Sequence, residues 1–201
     1  VVETLSSAEH CVIADRIEAG TFAIAAAITQ GDLTLSNMNP VYLNALFAVL
    51  EQTGSAVEIG ENWARVSCSS RAKPVDIATQ PYPGFPTDLQ AQYMSLMATA
   101  DGSSKISETI FENRFMHVPE LMRMSGDIQI DGRSCIVHGK AHLKPAPVMA
   151  TDLRASVCLV LAALATKGKT TISRIYHLDR GYTNLEEKLN KCGAKIQRLA
   201  E

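Results

Sequence analysis

The sequence lacks the features that mark several large classes of protein. Its 19 basic and 21 acidic residues nearly cancel to a net charge of −2, so there is no charge excess of the kind that attracts nucleic acid. The longest nearly apolar run, residues 155–165, is shorter than the roughly 20 residues of a membrane span. The sequence contains no glycine-rich dinucleotide loop and no metal-ligand cluster. We therefore expect no nucleic-acid or membrane partner, no metal and no organic cofactor.

Cysteines are few and scattered. No two are spaced as C-x-x-C, and their number is odd; they are Cys11, Cys68, Cys135, Cys158 and Cys192. This pattern argues against a disulfide framework and a zinc site, and it favours a cytoplasmic protein because thiols stay reduced there. Cys158 and Cys192 lie in apolar helical patterns, so we expect both in the core.

Glycines recur at regular intervals along the chain. They form pairs separated by 23, 24 and 25 residues, and each glycine follows a helical stretch; the pairs are Gly31 and Gly54, Gly102 and Gly126, and Gly168 and Gly193. Glycine beyond a helix end adopts the left-handed conformation that ends many helices. The spacing predicts a threefold internal repeat. Its units cover approximately residues 10–70, 71–140 and 141–201, within a single domain of residues 1–201.

Each unit contains two predicted helices of different character. The first helix of each unit is apolar on nearly all sides, which is typical of a helix buried on every side. These first helices are predicted at 21–29, 89–100 and 153–166. The second helices are amphipathic and are predicted at 43–53, 115–124 and 184–191. The three apolar helices should therefore pack together at the centre, with the amphipathic helices and the strands outside them.

Short β-type runs surround the helices. Strands are predicted before the first helices at 11–13, 75–78 and 141–143, and after them at 33–35, 105–107 and 170–172. Further strands follow the second helices at 56–59, 127–130 and 195–198, and hairpins in the first two units add 65–68 and 135–138. Each unit thus has the order βαβαββ, and the third lacks its last strand. The fold class is α/β, an inside-out α/β barrel lobe with buried central helices.

Charged residues collect at the junctions between elements. Thr-Asp pairs open two of the first helices, at Asp88 and Asp152, where a short acidic side chain usually serves as a helix cap. Arg154 follows Asp152, and Arg114 and Arg180 precede second helices. If the units are related by rotation, these groups meet at one end of the domain and could bind a multiply charged anion.

Two less specific interpretations stay open from the sequence alone. Arg114 and Arg180 could form ordinary surface ion pairs with their neighbours Glu112 and Asp179. The histidines nearby, His117 and His177, have apolar neighbours, and packing is the more common role for such side chains.

The sequence resembles the UDP-N-acetylglucosamine 1-carboxyvinyltransferases, a family of enolpyruvyl transferases. The segments that carry the resemblance are Asp15–Thr21, Pro83–Gln92, Glu108–Met124, Met149–Ser156 and Arg174–Tyr182. The resemblance implies an inside-out fold of two lobes, each of three units, with the active site between them. This chain resembles the C-terminal lobe, so the missing partner would be the N-terminal lobe. The lysine–asparagine pair and the cysteine-bearing loop of the family belong to segments that this sequence does not contain.

The resemblance also implies an activity. Enzymes of this family transfer the enolpyruvyl group of phosphoenolpyruvate to the 3-hydroxyl of UDP-N-acetylglucosamine and release phosphate. The reaction is the first committed step of peptidoglycan synthesis, which links it to cell-wall biogenesis, cell shape and cell division. It needs no cofactor, and we expect a single lobe to be inactive alone.

Individual roles follow from matching motifs of the family. Asp88 corresponds to the base near the sugar 3-hydroxyl, and Ile110 to a contact with UDP-N-acetylglucosamine. Asp152 corresponds to a group that transfers a proton at the methylene carbon of phosphoenolpyruvate. Arg180 corresponds to a phosphoenolpyruvate ligand, with Arg114 and Arg154 supporting the site. Two alternatives remain: a lobe that only binds a nucleotide sugar or serves a structural role, and an enolpyruvyl transferase with another acceptor.

Overall fold

The computed structural model describes residue 4 and residues 6–199, which form an α/β fold with mixed sheets. The helices are α1 (Arg16–Ile28), α2 (Asn44–Gln52), α3 (Gln90–Ala98), α4 (Val118–Arg123), α5 (Val157–Leu164), α6 (Tyr176–Asp179) and α7 (Leu185–Lys191). The strands are β1 (Asp32–Ser36), β2 (Ala56–Ile59), β3 (Trp63–Ser67), β4 (Ile77–Ala78), β5 (Ser103–Ser107), β6 (Asp127–Asp131), β7 (Ser134–His138), β8 (Pro147–Met149) and β9 (Thr171–Ser173). Two 3-10 turns span Pro40–Leu43 and Thr87–Leu89.

The long apolar helices α1, α3 and α5 pack against one another in the core. Ala25, Leu96 and Leu161, one from each helix, are all buried, which confirms the prediction that these helices are buried. Small side chains let the helices approach closely. Ser95 of α3 donates a hydrogen bond of 2.8 Å to the backbone carbonyl of Cys158 in α5.

Hydrogen bonds from backbone N–H groups to side chains explain why two of these helices begin away from their predicted starts. Helix α1 begins at Arg16 rather than at residue 21, because Asp15 accepts a hydrogen bond of 2.8 Å from the backbone N–H of Ile17. Helix α5 begins at Val157 rather than at residue 153. The side chains of Asp152 and Ser156 accept hydrogen bonds from backbone N–H groups and so hold the residues before Val157 in a separate turn.

The strands form three sheets whose order repeats in part. The first is antiparallel in the order β1-β3-β2, and the second has the order β4-β5-β7-β6 with β4 parallel to β5. The third sheet consists of the parallel pair β8 and β9. Inward residues such as Val66, Ile106 and Val148 are buried against the helices. The carboxyl ends of both parallel pairs lead into the polar junctions that the sequence singled out.

Three predicted strands are wrong. Residues 195–198 form no strand, because the equivalent strands β2 and β6 pair with the hairpin strands β3 and β7, and among the described residues the third sheet has no strand of that kind beside β9. Residues 11–13 are exposed and form no ladder with β1. Residues 141–143 precede the real strand, β8, because the backbone N–H of Lys144 is bound by the carbonyl of Met124 in the loop.

The cysteines are free thiols. Cys158 is fully buried, as predicted, and burial raises the pKa of its thiol. The prediction for Cys192 is wrong: it lies exposed at the end of α7. Within residues 6–199, no helix combines the length and the apolar character needed to cross a membrane.

Candidate active site

Three turns line a cleft of about 470 Å³ at one end of the fold. They are the turn that precedes α3, the loop between β5 and α4, and the turn that precedes α5. The residues that line the cleft are Asp88, Phe111, Glu112, Asn113, Arg114, Met116, Asp152, Leu153 and Arg154. The structure thus brings four of the predicted site residues together, Asp88, Arg114, Asp152 and Arg154.

Asp88 and Arg114 form an ion pair inside this cleft. Nη2 of Arg114 lies 2.5 Å from Oδ1 of Asp88, and the arginine side chain is mostly buried. The guanidinium also lies 5.0 Å above the centre of the Phe111 ring. Arg114 therefore pairs with Asp88 across the cleft and not with its chain neighbour Glu112, which contradicts the surface-pair interpretation.

The turn that carries Asp88 is fixed to the core from below. Leu89 is fully buried, and Gly20 of α1 leaves room for it: a side chain at Gly20 would place Cβ 2.5 Å from the Leu89 methyl group. The side-chain amide of Gln92 donates a bond of 2.8 Å to the backbone carbonyl of Asp88. Gln92 also contacts the buried pair of hydroxyls on Thr21 and Tyr182, which lie 2.9 Å apart.

Asp152 lies in a turn closed by its own side chain. Its Oδ1 accepts hydrogen bonds from the backbone N–H groups of Arg154 at 2.8 Å and Ala155 at 2.6 Å. The buried hydroxyl of Ser156 accepts two more, from the N–H groups of Thr151 and Asp152. Asp152 therefore closes a turn before α5 and does not cap the helix itself, contrary to what the sequence had suggested, and it lines the cleft as well.

Arg154 is positioned by groups from two distant parts of the chain. Its guanidinium pairs with Asp15 at 3.1 Å, donates to the carbonyl of Gly181 at 3.3 Å and lies 5.6 Å above the Tyr182 ring. Burial raises the pKa of Asp15, but bonds from Ile17 N–H and the charge of Arg154 outweigh this and lower it overall. Asp15 is thus held as the charged partner of Arg154.

Arg180 and Ile110 lie near the cleft but do not line it. Arg180 follows α6 and is exposed, and the carbonyl of the next residue, Gly181, is the one that Arg154 binds. Its neighbour Asp179 pairs with Arg198 at 2.7 Å, so the predicted surface pair between Asp179 and Arg180 is not formed. Ile110 is half-buried at the start of the Phe111 loop.

The two histidines near the site differ in burial. His117 is completely buried beneath the cleft, with Nε2 3.3 Å from the Met94 sulfur, and burial lowers its pKa to about 4. His177 is half-buried and stacks on Tyr176. Neither lines the cleft, which agrees with the packing role expected for both.

Sequence reasoning missed several residues of the site. Asp15 precedes α1 as Asp88 and Asp152 precede the other apolar helices, so its position was the signal for a third acidic turn. Phe111 and Met116 form the apolar lining, and nothing in the local pattern separates them from core residues. Glu108 is buried directly after β5 and bonds to two of the site's turns.

The arrangement provides carboxylates and guanidinium groups close together, and it suits proton transfer beside an anion. Within residues 6–199, no group of three or more histidine, cysteine or acidic side chains is placed to hold a metal ion. Both cleft arginines are already paired with carboxylates. An anionic ligand would therefore have to share or replace those partners.

A family model places this geometry among known proteins. The model described as EPSP synthase (3-phosphoshikimate 1-carboxyvinyltransferase) matches residues 2–189. The chain belongs to this family. Its curated relatives include UDP-N-acetylglucosamine 1-carboxyvinyltransferases from Bartonella henselae, 57% identical over 201 residues, and from Psychrobacter sp., 52% identical over 198 residues. The resemblance inferred from the sequence segments is confirmed.

The alignments cover only part of these relatives. Each covers 98% of this chain, but 47% of the Bartonella henselae protein and 46% of the Psychrobacter protein. The chain therefore spans about half the length of the curated relatives it matches.

Solved structures share the same fold. The enolpyruvyl transferase NikO from Streptomyces tendae matches with a TM-score of 0.83 and 31% identity, over 92% of this chain and 44% of that chain. EPSP synthase from Acinetobacter baumannii matches with a TM-score of 0.70 and 18% identity, over 90% of this chain and 46% of that chain. The second likeness shows the fold alone.

Proposed function

We propose that this chain is one lobe of an enzyme that transfers the enolpyruvyl group of phosphoenolpyruvate to the 3-hydroxyl of UDP-N-acetylglucosamine. The lobe has an inside-out arrangement of three repeat units, at about 10–70, 71–140 and 141–201, of which the second has the full βαβαββ order and the third lacks its last strand, and it is the C-terminal lobe. The enzyme acts in the cytoplasm in peptidoglycan synthesis, and so supports cell-wall biogenesis, cell shape and cell division. The relatives' names and their double length support this assignment.

The observation that carries the proposal is the shared cleft of Asp88, Arg114, Asp152 and Arg154. Oδ1 of Asp88 is bound by Arg114, and the side chain remains 40% exposed. Asp88 can therefore accept the proton of the sugar hydroxyl as its oxygen attacks the enol carbon that bears the phosphate. Asp152 gives the methylene carbon a proton in this addition and takes one back in the elimination, in which the C–O bond to phosphate breaks, the C=C bond is restored and phosphate leaves.

The cations near the cleft suit the anionic substrate. Arg154 and Arg114 line it, and Arg180 follows α6, where its side chain has no hydrogen bond or ion pair within the described residues. We assign Arg180 to phosphoenolpyruvate, with Arg114 and Arg154 in support, and Ile110 to the nucleotide sugar. Guanidinium groups bind phosphate and carboxylate with paired hydrogen bonds.

The exposed apolar residues at the cleft suit a second lobe. Phe111 is 52% exposed and Met116 is 66% exposed, although both lie beside charged side chains. An N-terminal lobe that closes here would bury them and exclude water from the acids and bases. It would also supply the further cations that the paired arginines do not provide.

The test is turnover by the longer protein that contains this chain. With phosphoenolpyruvate and UDP-N-acetylglucosamine, we expect phosphate release, and Asp88→Asn should lower kcat about 10²–10⁴-fold because an amide cannot accept the proton. Sugar-nucleotide binding should change far less. Asp131→Asn, on the β6–β7 hairpin outside the cleft, is the matched control. Near wild-type phosphate release by Asp88→Asn would remove Asp88 from the role of base.

The same assay separates the two alternatives. Phosphate release with another hydroxyl acceptor, but not with UDP-N-acetylglucosamine, would assign a different substrate to the same chemistry. Binding of the nucleotide sugar without any phosphate release would leave only a binding module.

A further inference from the structure

A buried carboxylate joins the turns of the cleft without lining it. Glu108 directly follows β5 and is only 2% exposed. Its Oε1 accepts hydrogen bonds from Thr79 Oγ1 at 2.8 Å, Ile110 N at 2.9 Å and Phe111 N at 3.1 Å. Its Oε2 accepts one from Thr87 Oγ1 at 2.8 Å. A carboxylate removed from water is costly unless its oxygens are bonded in this way.

The donors come from three segments, two of which lie 29 and 21 residues before Glu108 in the sequence. Thr79 follows β4, and Thr87 begins the turn that carries Asp88. The N–H groups of Ile110 and Phe111 begin the loop that carries Arg114. Glu108 is therefore the shared acceptor of the two segments whose side chains form the Asp88–Arg114 pair.

We propose that Glu108 is a positioning residue that sets the separation of Asp88 and Arg114 in the active cleft. The inference rests on the proposed function. It adds to the proposed active site a residue that contacts neither substrate. If a side chain fixes the Thr87 turn to the Phe111 loop, its loss lets the acid–base group and its cation move apart. A displacement of about 1 Å in a catalytic group can cost about 10²-fold in rate.

The number of bonds on each oxygen decides what a conservative variant should do. In Glu108→Gln the amide oxygen can keep the three donors of Oε1, and its NH₂ group can donate to the Thr87 hydroxyl, which then acts as an acceptor. The network survives while the charge is lost. Glu108→Ala removes both. Positioning by hydrogen bonds and an effect of charge therefore predict opposite results for Glu108→Gln.

The experiment uses the longer protein with four variants. We expect Glu108→Ala to lower kcat about 10²-fold with a smaller change in KM, and Glu108→Gln to stay within about threefold of wild type. Thr87→Val breaks only the bond to Oε2 and should lower kcat about tenfold. Thr53→Val is the matched control, because the buried Thr53 hydroxyl binds only the carbonyl of Leu50 and lies outside the cleft.

Amide hydrogen exchange gives a second readout that does not depend on activity. In Glu108→Ala the N–H groups of Ile110 and Phe111 lose their acceptor, so their exchange should accelerate at least tenfold, and Glu108→Gln should preserve their protection. Slow exchange in Glu108→Ala, or equal loss of kcat in Glu108→Gln and Glu108→Ala, would overturn the proposal. If Glu108→Ala does not fold, unchanged kcat in the milder Thr87→Val would overturn it. A wild-type protein without turnover would instead refute the proposed function, and the exchange rates would still decide the role of Glu108.

Discussion

At the scale of single residues, His117 shows how burial beneath a polar cleft affects stability. Its imidazole is fully buried, and its pKa is lowered from 6.5 to about 4, first by burial and then by the charge of Arg114, against a raising effect of Asp152. Between pH 6.5 and 4 the unfolded chain binds a proton that the folded chain does not, so stability falls as the pH falls. From pH 7 to pH 5 we expect this group to remove about 2 kcal/mol.

Urea unfolding at both pH values, with wild type and His117→Gln, measures this contribution. The variant should lose less stability between pH 7 and pH 5 than wild type does, because its amide does not titrate. His142→Gln, which replaces an exposed histidine by the same side chain, is the matched control. Equal pH dependence in His117→Gln and wild type would show that folding does not lower the pKa of His117.

Arg180 carries a different prediction at the same scale. In the longer protein, Arg180→Ala should raise the KM for phosphoenolpyruvate by one or more orders of magnitude, because an unpaired charge in a closed site costs roughly 2–5 kcal/mol. The KM for the nucleotide sugar should change little. Arg123→Ala removes an exposed arginine of α4 and serves as the control. An unchanged dependence on phosphoenolpyruvate would show that Arg180 does not bind it.

Local signals made part of the site predictable. Asp88 and Asp152 could be predicted because a Thr-Asp pair before an apolar helix is a signal contained within a few neighbouring residues. Glu108 was not found, because its donors belong to residues 79, 87, 110 and 111, and only the fold brings them together. The pairing of Arg114 with Asp88 instead of Glu112 has the same cause.

At the scale of elements, the backbone after α3 passes so close to Gly139, the residue that follows β7, that a side chain has no room there. The N–H of Gly139 binds the carbonyl of Gly102 at 2.9 Å, and a Cβ atom at Gly139 would lie 2.1 Å from the carbonyl oxygen of Ala100. Gly139→Ala must therefore push the strand away from the end of α3. We expect a loss of about 1–3 kcal/mol in the free energy of unfolding.

A second glycine serves as the comparison in urea unfolding. At Gly31 the nearest atom to an added Cβ is the Thr29 hydroxyl oxygen at 3.1 Å, which a small shift relieves, so Gly31→Ala should stay within about 0.5 kcal/mol of wild type. Equal stability of the two variants would mean that the strand moves aside without cost.

Elements were predictable where their partners are local. The hairpin strands β6 and β7 have a turn and an alternating pattern, and both formed as expected. Residues 195–198 alternate in the same way, but no other strand of the described residues lies beside them. They form no strand because a strand needs backbone hydrogen bonds to a neighbour. A helix such as α1 makes its backbone hydrogen bonds within itself, so its central residues could be predicted without knowing what packs beside it.

At the scale of the whole molecule, the cleft is an open surface. The 201-residue chain alone should unfold cooperatively in urea, because α1, α3 and α5 already form a continuous core. It should release no phosphate from phosphoenolpyruvate and UDP-N-acetylglucosamine, because water reaches Asp88, Phe111 and Met116 and no second surface fixes the substrates.

Two measurements on the purified chain check this, circular dichroism during urea unfolding and a coupled phosphate assay beside the longer protein. Sustained turnover by the 201 residues would show that a single lobe suffices, and the reasoning about closure would then be wrong. Loss of a cooperative transition would show that the core depends on further contacts.

The hydrogen bond between Thr21 and Tyr182 sets a minimum time for completion of the fold during protein synthesis. The two residues are 161 positions apart, so a ribosome adding about 5–20 residues per second needs about 8–32 s to deliver the second after the first. During that interval α1 has emerged, and the part of its apolar surface that packs against α3 and α5 waits for those helices. Until Tyr182 has been added, the nascent chain therefore exposes apolar surface of the kind that chaperones bind.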